Sequence, residues 1–329
     1  MMKRHPSTIQ ASLYTLAASF LWGTSFVAVK IGLTDLDPIW FLFVRILIAS
    51  LLLLPFFMRR WYWREYLGSP AVWLIGFACA MGYVLQYIGM VETTASAAAF
   101  LINMGIIFVA LFSWMWLKEP FDWLKILGIV LAVAGAVLLS GGLHLNELAV
   151  GKLRGNLLVL AAGIFWAAYT VGNKWILHRP GIRVVPLTAL VLFVAAIWIL
   201  PIALLWGQWP QTVTSKHLTV TGYMILFCTA APFVLWTQGL RGVQPTVSAA
   251  ILLMEPVFAA VLSYIILRER LSQVEWSGAA IIFVAILMVS LSDHILGRTK
   301  PLANQIAKPM LREQPQKIRE PDAESLGKK

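Results

Sequence analysis

Ten apolar runs, each near the length of a bilayer-crossing helix, dominate this 329-residue chain. They lie roughly at residues 11–33, 38–58, 71–91, 95–117, 123–141, 156–177, 186–206, 219–240, 245–267 and 273–292. About 20 apolar residues cross the hydrocarbon as a helix, so the chain reads as an all-α integral membrane protein. Only 12% of its residues are charged, against about 25% in a soluble domain. The net charge of +11 arises mainly from residues that flank the runs or sit in the tail, which points to membrane topology and not to nucleic acid. Cys79 and Cys228 both fall inside apolar runs, so neither a disulfide framework nor a cysteine metal site is expected. The first run is too long for a cleavable signal peptide and leads straight into further runs.

Lys and Arg set the orientation. With the N-terminus inside, Arg59, Arg60, Arg64, Lys118, Lys125, Lys174, Arg179, Arg183 and Arg241 are inside, and Lys30, Lys152, Arg154, Lys216, Arg268 and Arg270 outside. An even number of crossings returns the C-terminus to the inner side. From Asp293 the chain mixes Lys, Arg, Glu, Gln and Pro without apolar periodicity, which predicts a disordered tail.

The runs fall into two sets. Leu16, Ala17, Ala18, Trp22, Val27, Lys30 and Leu33 recur without a gap as Leu160, Ala161, Ala162, Trp166, Val171, Lys174 and Leu177. Later, Val84, Gly89, Met104, Phe108, Ser113, Glu119, Gly128 and Ser140 recur as Val234, Gly239, Met254, Phe258, Ser263, Glu269, Gly278 and Ser290. Each unit holds five spans, and an odd number makes the second enter from the opposite side. The expected architecture is therefore ten transmembrane helices as two inverted five-helix repeats, an arrangement typical of secondary transporters, with the substrate site near the midplane. The divisions are a cytoplasmic N-terminus at 1–10, repeats at 11–141 and 156–292, an external connection at 142–155 and a cytoplasmic tail at 293–329.

Leu21-Trp-Gly-Thr-Ser-Phe26, Gln86-Tyr-Ile-Gly-Met90 leading to Thr93-Thr-Ala-Ser-Ala97, Lys118-Glu119, Glu255-Pro256 and Arg268-Glu269 occur in an order that resembles the EamA family of the drug/metabolite transporter superfamily. The resemblance covers about residues 11–292. It implies ten helices, cytoplasmic termini and metabolite export across a bacterial inner membrane. One departure is that the fourth run has Gly105-Ile106 where the ninth has Glu255-Pro256.

Glu255 is the one acidic residue deep in a long apolar run. A charge at that depth faces protein or a water-filled cavity, or bonds a neighbouring helix. Pro256 lacks an N–H, so the Leu252 carbonyl loses its usual helical partner. Other candidates follow from helical spacing. Tyr83, Gln86 and Tyr87 share a face in the third run, and Trp166, Tyr169 and Asn173 in the sixth; Trp22 and Ser25 occupy positions equivalent to Trp166 and Tyr169. Asn103 lies in the fourth run. In the eighth, Trp236 and Gln238 cannot share a face, so one of them is expected at a cavity, and Gln238 is the candidate. Such stripes suit a small-molecule site and equally suit interhelical bonding. Arg45 in the second run either snorkels to water, pairs with a carboxylate or binds an anionic substrate group, while Lys30 and Lys174 are expected at the interface.

No His or Asp lies deep in a run, which disfavours Ser-His, Asp-pair and His-metal chemistry in the membrane. No catalytic residue, cofactor or metal is expected. The expectation is a non-enzymatic secondary transporter that exports a small amphipathic metabolite, such as an amino acid or drug-like compound, by alternating access. Glu255 would serve proton coupling or hold a substrate cation. The alternatives are a multi-pass membrane enzyme and a passive channel. The partners are the substrate and the lipid bilayer.

Overall fold

A computed structural model of the chain describes residues 6–32, 36–55, 66–93, 98, 101–120, 122–139, 153–208, 210, 212–266, 268 and 272–295. These residues form ten helices and no strand. The helices are α1 Thr8–Gly32, α2 Pro38–Leu53, α3 Pro70–Glu92, α4 Leu101–Leu117, α5 Trp123–Leu139, α6 Leu153–Leu177, α7 Val184–Trp206, α8 Ser215–Leu240, α9 Pro245–Ile266 and α10 Gln273–Ile295. Six of them, α3 and α6 to α10, are long and apolar enough to cross a membrane, and α2, α4 and α5 are shorter apolar helices. Helix α1, with 25 residues, is itself about 37 Å long. Arg59, Arg60, Arg64, Lys152, Arg270, the side chain of Lys30, residues 142–152 and the tail from 296 lie outside the described residues. Met1–Ser292 form one compact unit, and Asp293–Lys329 a second, of which only the end of α10 is described.

Local chemistry starts the helices where the sequence places polar residues. Ser7 and Gln10 bond reciprocally at the start of α1, at 3.2 and 3.3 Å, and Ser272 and Glu275 do so before α10. Both pairs satisfy orphan N–H groups of the first turn. Asp37 caps α2 by accepting from Ile39 and Trp40. His217 sits in the first turn of α8 and closes a capping box with Thr214. The fourth helix of each half stops at a basic residue in the left-handed region, Lys118 at φ 55° and Arg268 at φ 56°.

Three helices are interrupted. In α9 the break falls at Leu253, between Pro245–Leu252 and Met254–Ile266. Pro256 is the cause, because its ring crowds the Leu252 carbonyl and offers it no donor. Ser19 on α1 donates its hydroxyl to that carbonyl at 3.4 Å, so the freed acceptor ties α9 to its neighbour. Helix α4 turns at Met104 although it has no proline there, with Ile107 N–H bonding the Met104 carbonyl at 3.0 Å. The sequence departure at Gly105-Ile106 therefore removes the carboxylate and proline but not the break. In α8 a wide π turn runs over Leu226–Ala230. Pro232 would crowd the carbonyl four residues back; the extra residue in the turn relieves this, and Ala231 N–H bonds Leu226 instead.

Glycines set the closest crossings. A Cβ on Gly23 would lie 2.8 Å from Phe258 Cβ and 2.9 Å from the Glu255 carbonyl, so α1 and α9 touch through backbone. Two further sets of close crossings match between the halves. Gly89 on α3 meets Val159 and Gly155 on α6, whereas Gly239 on α8 meets the equivalent Thr15 and Ala11 on α1. Gly128 on α5 meets Ala285 and Val289 on α10, whereas Gly278 meets Gly135 and Leu139. Apolar burial follows these contacts: one core joins α2, α3, α6, α7 and α8, a second joins α4, α5, α9 and α10, and α1 enters both, through Ala18 and Ala11.

Alternate loops gather at opposite ends. At one end Lys174, in the last turn of α6, is buried within the protein; its Nζ donates to the carbonyls of Leu240 and Val243, both at 2.7 Å, at the end of α8. Beside it Lys125 and Glu119, 0% and 2% exposed, meet at 3.4 Å. Lys125 also donates to Gln244 Oε1 at 2.6 Å. Burial raises the Glu119 carboxyl above the ordinary carboxylate range, opposed by the Lys125 charge and bonds from Thr246. Arg241 donates to the Ile182 carbonyl and the Arg183 N–H to Tyr66 Oη. At the other end Arg154 pairs with Glu92 at 3.3 Å, and Thr93 donates to Asn156 at 2.5 Å.

Candidate functional site

Four helices bring their aromatic residues together in the interior: Trp22 from α1, Tyr83 from α3, Trp166 and Tyr169 from α6, and Phe233 and Trp236 from α8. Phe233 is the hub, fully buried, with its ring 5.2 Å from Trp22, 6.1 Å from Tyr169 and 6.3 Å from Tyr83. Tyr83 meets Trp166 edge-on at 4.7 Å, and Tyr169 stacks on Trp236 at 5.2 Å and 15°. Edge-to-face and offset pairs of this kind contribute about 0.5–1.5 kcal/mol each beyond burial.

The two halves contribute equivalent pairs. Trp22 aligns with Trp166 and Phe233 with Tyr83, and the Trp22–Phe233 and Trp166–Tyr83 contacts are both edge-on, at 80° and 81°. Their hydrogen bonding differs. Trp166 Nε1 donates to Gln86 Oε1 at 3.0 Å. The residue equivalent to Gln86 is Trp236, which has no acceptor to offer and donates its own N–H to Ser248 at 3.0 Å. Trp22 Nε1 is consequently buried without a partner.

Tyr87 is half-buried, with its ring 6.3 Å from Tyr83. Asn173 is buried and its amide donates to the Tyr169 carbonyl at 2.8 Å, so part of its bonding is spent within its own helix. Ser25 lies half-buried one turn beyond Trp22, and Asn103 half-buried at the α4 break. Gln238 is half-buried two residues past Trp236, about 200° around the helix. Trp236 is the eighth-helix residue in the aromatic cluster.

Glu255 is half-buried just past the α9 break. Its backbone carbonyl faces Gly23. Tyr83 and Cys228 lie within electrostatic reach of its side chain, so the carboxyl group belongs to the same interior region as the aromatic cluster. Cys228 sits in the π turn of α8, 3.6 Å from Thr24 Oγ1, which also accepts from Tyr223 Oη at 2.7 Å. The region is thus bordered by the breaks in α9 and α8, and irregular backbone inside a membrane protein is tolerated where it lines a cavity or finds protein partners.

Arg45 neither snorkels nor pairs with a carboxylate among the described residues. It is 4% exposed, and its guanidinium lies over the Tyr83 ring at 5.2 Å and the Phe41 ring at 5.8 Å. The sequence signal was present, an Arg inside an apolar run. Its direction depended on α2 turning that face toward α3 and α8.

The sequence model of the EamA-like transporter family matches this chain twice, over residues 9–141 and 153–291. An uncharacterized transporter of Archaeoglobus fulgidus is 29% identical over 83% of this chain and 95% of its own length. YedA, an uncharacterized inner membrane transporter of Escherichia coli K12, is 24% identical over 85% of this chain and 90% of its own length. A solved crystal structure superposes at a TM-score of 0.75 over 87% of this chain and 98% of its own, at 18% identity, which shows a shared fold. With its apolar helices, its paired halves and two matches that together span nearly all of the described residues, this multi-pass membrane protein belongs to the EamA-like transporter family.

Proposed function

We propose that the chain is a secondary active transporter that exports a small amphipathic metabolite, an amino acid or a drug-like compound, across the bacterial inner membrane. The observation that carries the reading is the meeting of Trp22, Tyr83, Trp166, Tyr169 and Trp236 beside Glu255 and the interrupted helices α8 and α9. Aromatic walls with a few polar groups suit a small amphipathic ligand, and Gln86, Tyr87, Asn103 and Ser25 supply the polar groups around it. The halves act as inverted repeats; the reciprocal crossings of Gly128 and Gly278, and of Gly89 and Gly239, support this. Alternating access is then the rocking of one half against the other around a shared centre. Glu255 carries the coupling proton or a cationic group of the substrate. The test is flux: purified protein in liposomes should move a labelled amphipathic solute in response to an imposed proton gradient, saturably. Solute flux that never saturates, together with single-channel conductance, would assign a channel instead.

We assign both termini to the cytoplasmic side. Among the described residues, the end that gathers Lys125, Lys174, Arg183 and Arg241 is the more basic, and basic loops face the cytoplasm. Cysteines introduced at Ser7 and Ser325 should resist an impermeant thiol reagent in intact cells and react after lysis. Labelling of either from outside overturns the orientation.

A further inference from the structure

Arg45 is a charge in the protein interior with no counter-ion among the described residues. Arginine stays protonated in proteins. Its Nε is sealed from solvent and makes no hydrogen bond, and no described residue takes a bond from the guanidinium. The titratable groups that face it are Tyr83 and Tyr87 on α3, Cys79 one turn earlier, and Cys228 in the π turn of α8. None of these is a carboxylate. No ion pair joins Arg45 to Glu255 among the described residues.

Energetics make this arrangement costly for the empty protein. Burying an ion carries a large desolvation cost even after relaxation. The two ring contacts return only part of it. A side chain kept there at net cost is complemented by something the protein binds. The guanidinium fork matches a carboxylate in two parallel bonds. Position adds the second half of the recognition. Tyr83 touches Arg45, Trp166 and Phe233, so an anionic group on Arg45 would bring its attached body beside the aromatic cluster.

We propose that Arg45 is a carboxylate-binding subsite, and that the substrate is a small organic acid whose carboxylate rests on Arg45 while a planar apolar body lies against Tyr83 and Trp166. This rests on the transporter reading above and names its substrate class. Glu255 keeps its own role.

The experiment uses full-length purified protein in detergent with matched probes: phenylacetate and 2-naphthoate, their amides, and phenyl phosphate. Binding is read by thermal stabilisation and by competition for flux in liposomes. The wild type should bind at least one acid about tenfold more tightly than its amide. Arg45→Met should bind acid and amide alike. Arg45→Lys keeps the charge without the fork, so it carries the test if Arg45→Met fails to fold; it should lose about tenfold for the acid and little for the amide. Equal binding of acid and amide by the wild type overturns the proposal. So does an acid preference that survives unchanged in Arg45→Lys and Arg45→Met, which would make Arg45 a packing residue. Tighter binding of phenyl phosphate than of any carboxylate overturns the carboxylate assignment. Flux of solutes without acid preference removes the subsite and leaves the transporter standing; acid-selective binding without flux of any solute does the reverse.

Discussion

Glu255→Gln should leave the protein in the membrane at its normal level and reduce gradient-driven transport about tenfold or more. Gln matches Glu in size, and the position is half-buried, so the stability change should stay within about 0.5 kcal/mol, as for substitutions that break no buried network. No hydrogen bond or ion pair to the Glu255 carboxyl group occurs among the described residues, so little structure depends on its charge. Transport depends on it in two ways. A carrier that moves a proton with each substrate loses its coupling when the titrating group is gone. A carrier that holds a cationic substrate group there loses a charge-assisted bond of about 1.5–3 kcal/mol, which is about ten- to hundredfold in affinity. The two differ in their pH dependence. Loss of coupling flattens the pH profile and leaves downhill exchange intact, whereas loss of a cation contact weakens exchange at every pH. The measurement is substrate efflux across a pH series for wild type and Glu255→Gln at matched membrane levels. Superimposed curves would make Glu255 a helix-packing group, and Glu255→Leu should then lower protein yield instead.

The second large effect is structural. Gly278→Leu should abolish stable folding, while Gly222→Ala should be neutral or mildly stabilising. A Cβ on Gly278 would collide with Leu139 N and lie 2.7 Å from the Gly135 carbonyl. Both are backbone atoms, so no rotamer change can make room and α5 and α10 must separate. Overpacking costs about 1–3 kcal/mol when side chains can adjust, and a backbone clash exceeds that range. Gly222 in α8 has nothing within 4 Å of its Cβ position, and Ala there gains up to about 1 kcal/mol of helix propensity. The readout is monodisperse yield and melting temperature in detergent. Normal yield and melting of Gly278→Leu would show that the α5–α10 crossing is looser than these distances.

Much of the fold was legible because a membrane makes apolar length a direct signal. The helices begin and end within a few residues of the apolar runs, except that the described part of α2 stops at Leu53 and that of α4 starts at Leu101. The break in α9 was legible too, since a proline strips a named carbonyl of its donor wherever it stands. Helix α4 shows the limit of that logic. It turns at Met104 without proline, close to the position where its counterpart turns, so packing imposes a geometry that no residue in the run announces.

The candidate site was legible by face and not by partner. A period of 3.6 places Tyr83 with Gln86 and Trp166 with Tyr169, because that depends only on each residue's own helix. Whether Trp236 or Gln238 turns inward depends on which helices flank α8, and the crossing of Gly239 with α1 decides it for Trp236. Lys174 and Arg45 follow the same division. The sequence by itself determined that both are cations near or within apolar runs. Only the tertiary structure set their fates: Lys174 reaches the open carbonyls at the end of α8, and Arg45 lies over Tyr83. A long side chain on a helix can reach water, lipid or a neighbour, and the choice belongs to the neighbour's position.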